Sequence, residues 1–268
     1  MKFVHAHQHV LHVSDGSIRS TDVSRVFSTR LNRLDDLASE VGFSRGVIHE
    51  LLVRPGLPPP GFFAFLLARA AILHDAPTLH DAGTVHGTPT LHDAPTSQVK
   101  TSGAIVWSDP ARELYPPALA RYGLGLEKLI LLRPRKTSDE IMALVECLRC
   151  KGVGATVAGL KRLSQVEARR LQLAVERGGG VGIFMRPLGA ASTHYAAATR
   201  WLVEPARGNE FVQRWSVQLV HGHGGQVGQK VLLELNRDTH LVRASEVLVD
   251  RQVITAKVGA GGSTSRAG

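Results

Sequence analysis

Between residues 104 and 185 the chain alternates short apolar runs with amphipathic stretches, and this alternation admits few architectures. Ala104–Trp107, Leu129–Leu132, Gly154–Ala158 and Val181–Met185 are almost free of polar residues, as strands covered on both faces must be. Helical spacing fills the gaps between them. Thr137 and Glu140 form a capping-box pattern ahead of Ile141, Leu144, Val145 and Leu148. Ser164 and Glu167 repeat it ahead of Leu171, Ala174 and Val175, and Gly178-Gly179-Gly180 ends that helix. Parallel strands need a long crossover, which a helix of this length supplies. The expectation is an α/β fold built on βαβ units around a mainly parallel sheet.

The pattern extends in both directions. Upstream, the turn at Gly42-Phe43-Ser44-Arg45-Gly46 leads into a strand, Val47–Val53, then a Pro/Gly loop from Pro55 to Gly61 and an apolar helix, Phe62–Ile72. Downstream, Arg200–Val203, Arg214–Val220 and Lys230–Leu235 read as strands, with Gly222 to Gly228 as the turn of an antiparallel extension. The domain therefore spans 41–242. Residues 21–40 form an amphipathic helix carrying Val23, Val26, Leu31, Leu34 and Leu37. Residues 1–20, with His5, His7, His9 and His12, read as a flexible tail, and 243–268, rich in Gly and Ser at the end, as a disordered one. Within the domain, 73–103 is a low-complexity insertion built on the hexapeptides LHDAPT, LHDAGT, VHGTPT and LHDAPT. Its prolines exclude a regular helix or a central strand, and His74, His80, His86 and His92 are read as surface decoration rather than metal ligands.

Composition removes several function classes. A membrane helix needs about 18 consecutive apolar residues, and neither such a run nor the apolar stretch of a signal peptide is present, so a cytoplasmic location is expected. Cys147 and Cys150 are the only cysteines; their C-x-x-C spacing lacks the second pair of a zinc site, and both fall at a helix end. No metal and no cofactor is expected. The net charge of +9 belongs wholly to residues 101–268, since the first 100 residues carry nine cations and nine anions. Arg133, Arg135 and Lys136 follow a predicted strand, while Lys161, Arg162, Arg169 and Arg170 flank the second capped helix. Each cluster suits DNA phosphates or an acidic partner, and each is also what a solvated helix face looks like.

The test for nucleotide chemistry lies at residues 56–63. A phosphate loop reads G-x-x-x-x-G-K-[ST]: backbone amides cradle the phosphates, the lysine reaches the terminal oxygens and the hydroxyl binds magnesium. Here the chain reads Gly56-Leu57-Pro58-Pro59-Pro60-Gly61-Phe62-Phe63. The glycines keep the spacing, but Phe62 and Phe63 replace the lysine and the hydroxyl, and three prolines remove three amide donors. No nucleotide-binding and no catalytic residue is expected.

The flanks carry a family resemblance. Gly42-x-x-x-Gly46-x-Ile48-x-Glu50-Leu51 looks like the strand that precedes the phosphate loop of RecA. The run Ala120-Arg121-Tyr122-Gly123-Leu124-Gly125-Leu126-Glu127-Lys128-Leu129-Ile130-Leu131-Leu132-Arg133-Pro134-Arg135 closely resembles bacterial ImuA proteins, which are RecA-related. So do Glu146-Cys147-Leu148-Arg149, Gly154-Ala155, Arg169-Arg170-Leu171-Gln172-Leu173-Ala174 with Glu176, Gly178 and Gly179, Gly182-Ile183-Phe184-Met185-Arg186-Pro187, and the strand at 197–203. The resemblance covers about residues 41–240 and implies a RecA-like core of the phosphate-loop type with a degenerate loop. In active relatives of RecA an acidic residue after the next strand prepares the attacking water; Asp109 stands near that position with no phosphate site to serve. A further strand should end in an aspartate that supports magnesium, and Thr156-Val157-Ala158-Gly159 ends in glycine.

For function the resemblance implies an adaptor without catalysis in the SOS response to DNA damage, an accessory of the mutasome that performs translesion synthesis. Its implied partners are an ImuB-like, polymerase-related protein and RecA, with an error-prone replicative-type polymerase in the same assembly, DNA as a further contact and no membrane. A nucleoid-associated place in the cytoplasm follows. The competing expectation is a nucleotide- and DNA-binding, recombinase-like ATPase with a non-standard phosphate site.

Overall fold

The structure, a computed structural model, describes residues 25–39, 42–73, 103–189, 197–222 and 224–246. The histidine-rich start, nearly all of the hexapeptide insertion and residues 247–268 lie outside them. In chain order the elements are β1 (Val26–Phe27), α1 (Asn32–Ala38), β2 (Phe43–Ser44), β3 (Val47–Val53), α2 (Gly61–Ile72), β4 (Ala104–Ser108), α3 (Pro116–Ala120), β5 (Leu129–Leu132), α4 (Thr137–Arg149), β6 (Val153–Gly159), α5 (Gln165–Gly178), β7 (Val181–Pro187), β8 (Ala197–Ala206), β9 (Val212–Gly222), β10 (Lys230–Asn236) and β11 (Val242–Glu246).

Nine strands form one sheet in the order β11-β10-β9-β8-β3-β7-β6-β4-β5. From β5 through β8 all neighbours are parallel, whereas β8 to β11 pair antiparallel. The sheet is thus mixed and mostly parallel, and it continues through Glu246, past the boundary drawn from the sequence at 242, because Val242 and Ala244 turn inward as β11 pairs with β10. A separate ribbon, β1 with β2, occupies residues read from sequence as helix and turn. The N-terminal helix is correspondingly short. Asp35 shortens the entrance to α1 by accepting hydrogen bonds from Ser28 Oγ, Thr29 N–H and Thr29 Oγ1, which folds residues 28–31 back against it.

Helices cover both faces of the parallel half. α2 lies on one face, and it is buried almost all round, as an apolar helix without a polar stripe must be. α1 extends that layer over β9–β11 with Leu31, Leu34, Leu37 and Ala38, so the N-terminal helix packs on its own sheet. α4 and α5 cover the other face through Ile141, Leu144, Leu148, Leu171, Ala174 and Val175, against Ile48, Ala158 and Phe184 of the strands. The Ser164–Glu167 capping box of α5 forms as its spacing predicts: Ser164 Oγ accepts from Glu167 N–H and the Glu167 carboxylate accepts from Ser164 N–H. The counterpart expected on α4 does not. Lys136 is its N-cap without a side-chain bond, and Glu140 is buried, accepting instead from Ser108 Oγ at the end of β4.

Two polar clusters are buried at β3, one on each of its faces. His49 of β3 is fully buried between the rings of Phe27 and Phe43. Its Nε2–H donates to the Ser44 carbonyl at 3.0 Å; Nδ1 then accepts from Thr199 Oγ1 at 2.6 Å, and Trp201 Nε1–H donates to the same hydroxyl at 2.8 Å. That arrangement satisfies a neutral imidazole, and burial holds the His49 pKa down at about 4. On the opposite face of β3, Glu50 meets two arginines from its flanking strands: Arg186 Nη1 at 2.8 Å and Arg200 Nε at 2.9 Å. All three are at least nine-tenths buried.

Candidate functional site

Because β3 to β8 are parallel, the loops that follow β3, β4, β5 and β6 leave the same edge of the sheet, the edge at which α/β proteins place their ligands. The loop after β3 occupies the middle of it. Leu57 N–H donates to the Arg54 carbonyl at 3.1 Å, closing a turn with Gly56 at φ +84°. Pro58, Pro59 and Pro60 follow without N–H groups, and Gly61 N–H is taken by the Pro59 carbonyl at 2.8 Å. A phosphate cradle needs amides that converge on the ligand; here two donate inward and three do not exist.

The first turn of α2 is closed by aromatic packing. Phe63 is 2% exposed and meets Trp201 of β8 edge-on, at 6.1 Å between centroids. Phe62 stacks on Trp215 of β9, with centroids 4.9 Å apart and planes 17° from parallel, and lies 5.5 Å from the ring of Tyr122. Burying such a side chain is worth on the order of 2–3 kcal/mol, so these positions contribute to the core what a lysine and a hydroxyl would contribute to a phosphate. Tyr122 belongs to the 120–135 motif, and the motif's glycine has a local reason: Gly123 sits at φ +76°, and a Cβ there would stand 3.1 Å from Arg69 Nη2. Arg69 is itself buried in α2, and that desolvation pulls its pKa down to about 10.

At the end of β4, Asp109 is 5% exposed. Its carboxylate accepts from the N–H groups of Glu113 (2.8 Å) and Leu114 (3.3 Å), and Arg133 Nη2 approaches it at 3.4 Å. In this structure Asp109 pins the loop after β4 and fastens it to the end of β5. Gly159 ends β6 in the open, with nothing near where a Cβ would stand. Two cations at this edge are engaged in ion pairs: Arg54, which opens the loop after β3, pairs with Glu204 of β8, and Arg133, after β5, with Asp109.

The predicted basic residues divide into two groups. Arg133, Arg135, Lys136, Lys161 and Arg162 are all exposed on the loops after β5 and β6, at the same edge as Asp109. Arg169 and Arg170 are not part of it; they project from the outer face of α5, beside Val166 (62% exposed) and Leu173 (48%). Cys147 and Cys150 are both free, and burial, with Cys150 and Glu146 nearby, pushes the Cys147 thiol up, away from the reactive thiolate. Among the described residues no group of three His, Cys, Asp or Glu side chains could hold a metal ion, and no helix is long and apolar enough to cross a membrane.

Sequence reasoning passed over three features: the Glu50–Arg186–Arg200 cluster, the tryptophans that receive Phe62 and Phe63, and Tyr115, 69% exposed on the loop that Asp109 pins. The first had a signal, since a glutamate inside V-I-H-E-L-L-V demands a buried cation. The other two depend on contacts far apart in the chain.

No family model matches the chain. Over 178 residues it is 30% identical to Protein ImuA of Caulobacter vibrioides (strain NA1000 / CB15N), an alignment that covers 60% of this chain and 73% of that relative. Protein ImuA of a second Caulobacter vibrioides strain, CB 15, matches to the same extent.

Proposed function

The chain belongs to the ImuA family, and from that premise we propose that it is a non-catalytic adaptor in DNA-damage-induced translesion synthesis, carried on a RecA-like body. The observation that supports this most strongly is the first turn of α2, where Phe62 stacks on Trp215 and Phe63 meets Trp201 edge-on after a loop of three prolines. Phosphoryl transfer depends on positioned charge at that place. The strand order supports the RecA-like reading: β3, which feeds the loop, is central, with parallel neighbours on both sides and an antiparallel extension beyond β8. The alternative, an ATPase with a non-standard phosphate site, would need a cation from elsewhere; of the candidates Arg54, Arg133 and Arg135, the first two are held in salt bridges, which leaves Arg135.

As an adaptor the protein would present the outer face of α5, where Val166 and Leu173 interleave with Arg169 and Arg170, to an acidic and apolar partner surface. The ImuB-like protein and RecA are the partners to test, with an error-prone replicative-type polymerase as a third member of the assembly. Pull-down and size-exclusion experiments with the purified full chain decide it. The expected result is a complex with an ImuB-like protein or RecA that forms equally with and without ATP and is weakened at least tenfold by Arg169→Glu with Arg170→Glu. Absence of any complex, or a complex that requires ATP bound to this chain, overturns the adaptor reading.

A further inference from the structure

The loops after β4, β5 and β6 carry six exposed cations, Arg112, Arg133, Arg135, Lys136, Lys161 and Arg162, against two exposed carboxylates among their described residues, Glu113 and Asp139. The other acids in this region are spent internally. Asp109 is buried under the loop it pins, Glu140 is buried against Ser108, and Glu167 is closed into the capping box of α5. α4 and α5, of 13 and 14 residues, both start here, so their N-termini add positive potential to the same edge. The loop after β4, which the strand order sets between the other two, carries Tyr115, at 69% the most exposed large apolar side chain among the described residues. Its loop is fixed rather than free, because Asp109 holds the amides of Glu113 and Leu114.

We infer that this edge is a binding surface for single-stranded DNA, in which Tyr115 stacks on a base while Arg112, Arg135 and Lys136 contact the phosphates on either side. An ordered aromatic ring offered to solvent among exposed cations is the combination by which proteins hold single strands without reading sequence. A duplex keeps its bases stacked on one another and cannot use the ring, and an acidic peptide would use the cations alone. The surface itself does not depend on the adaptor reading; only the choice of DNA over RNA rests on it. Asp109 acts here as a positioning residue that holds the ring in place.

Fluorescence anisotropy with a short labelled oligodeoxynucleotide of mixed sequence, titrated with the full chain at several salt concentrations, tests this without any partner protein. Tyr115→Ala is expected to weaken binding by about 5- to 100-fold with the salt dependence unchanged. Arg112→Asn with Arg135→Ala and Lys136→Ala is expected to lower the slope of log affinity against log salt by about 2, at roughly 0.7 for each phosphate that is no longer neutralised. Asparagine is used at 112 because that residue sits at φ +58°. A charge-matched control on the opposite edge, Lys151→Ala with Arg177→Ala and Lys230→Ala, should bind as the parent does; all the altered side chains are exposed, so the fold is retained. The inference is overturned if Tyr115→Ala binds normally, if the control loses as much as the triple variant, or if duplex DNA or polyglutamate binds as tightly as the single strand. Tighter binding of the matching oligoribonucleotide overturns the assignment to DNA. Failure of partner pull-downs with these results intact would remove the adaptor reading and leave the surface.

Discussion

His49 shows at the scale of one residue what the sequence conceals. In the sequence it is one histidine among 13, on a strand otherwise made of apolar residues and one glutamate. In the fold it is wedged between Phe27 and Phe43 as a neutral ring, with its pKa lowered to about 4 from 6.5. A base whose folded pKa is depressed leaves stability intact above the unfolded pKa and loses it as the pH falls from the unfolded pKa to the folded one. Urea unfolding should therefore show stability falling between pH 6.5 and about 4, by on the order of 3 kcal/mol in total. His49→Gln should flatten that interval. An unchanged slope in the variant would mean that other groups carry the acid sensitivity. Site residues behave the same way: the Phe62-Phe63 substitution was legible as a loss of charge, but the tryptophans that turn the loss into packing lie more than 130 positions away.

Secondary structure was the most legible level. Every strand from β3 to β10 falls within a few residues of its apolar run, and α2 and α5 match their patterns, because burial on both faces leaves a signature that needs no knowledge of the partner. The misses have local physical causes. β1 and β2 are two residues each, too short for any period to register, and Asp35 breaks the helical reading of residues 21–40 from within. The α4 capping box failed because Glu140 found Ser108, a residue 32 positions back, in place of the backbone. Gly178 tests the account of the α4–α5 layer. It lies in the last turn of α5, where alanine would ordinarily stabilise a helix by about 1 kcal/mol. Here an added Cβ would stand 1.9 Å from the Leu148 carbonyl oxygen at the end of α4. Gly178→Ala is expected to destabilise the protein by at least about 2 kcal/mol in thermal unfolding, as overpacking does. A stabilised variant would contradict the close approach of the two helices.

Across the whole molecule, the sheet is organised around its central strand β3, which pairs parallel with β7 and with β8, the strand at which the pairing turns antiparallel, and which bears both the proline loop and the Glu50 cluster. Glu50 holds one arginine from each neighbouring strand, so removing its charge leaves two buried cations facing each other. Glu50→Gln should cost about 3–5 kcal/mol in denaturant unfolding, while a variant within about 1 kcal/mol of the parent would show that the cluster is solvated or dispensable. The family could be read from the sequence; the pinned loop with Tyr115 could not, because it depends on where three parallel strands end. In this ImuA-family protein Phe62 and Phe63 pack against Trp215 and Trp201 where a phosphate loop would offer a lysine and a hydroxyl. Isothermal titration calorimetry of the purified full chain with magnesium-ATP and magnesium-ADP, carried into the millimolar range, should give no saturable heat with either nucleotide. Saturable binding in the micromolar range would mean that the loop still takes a phosphate, with Arg135 the first residue to examine.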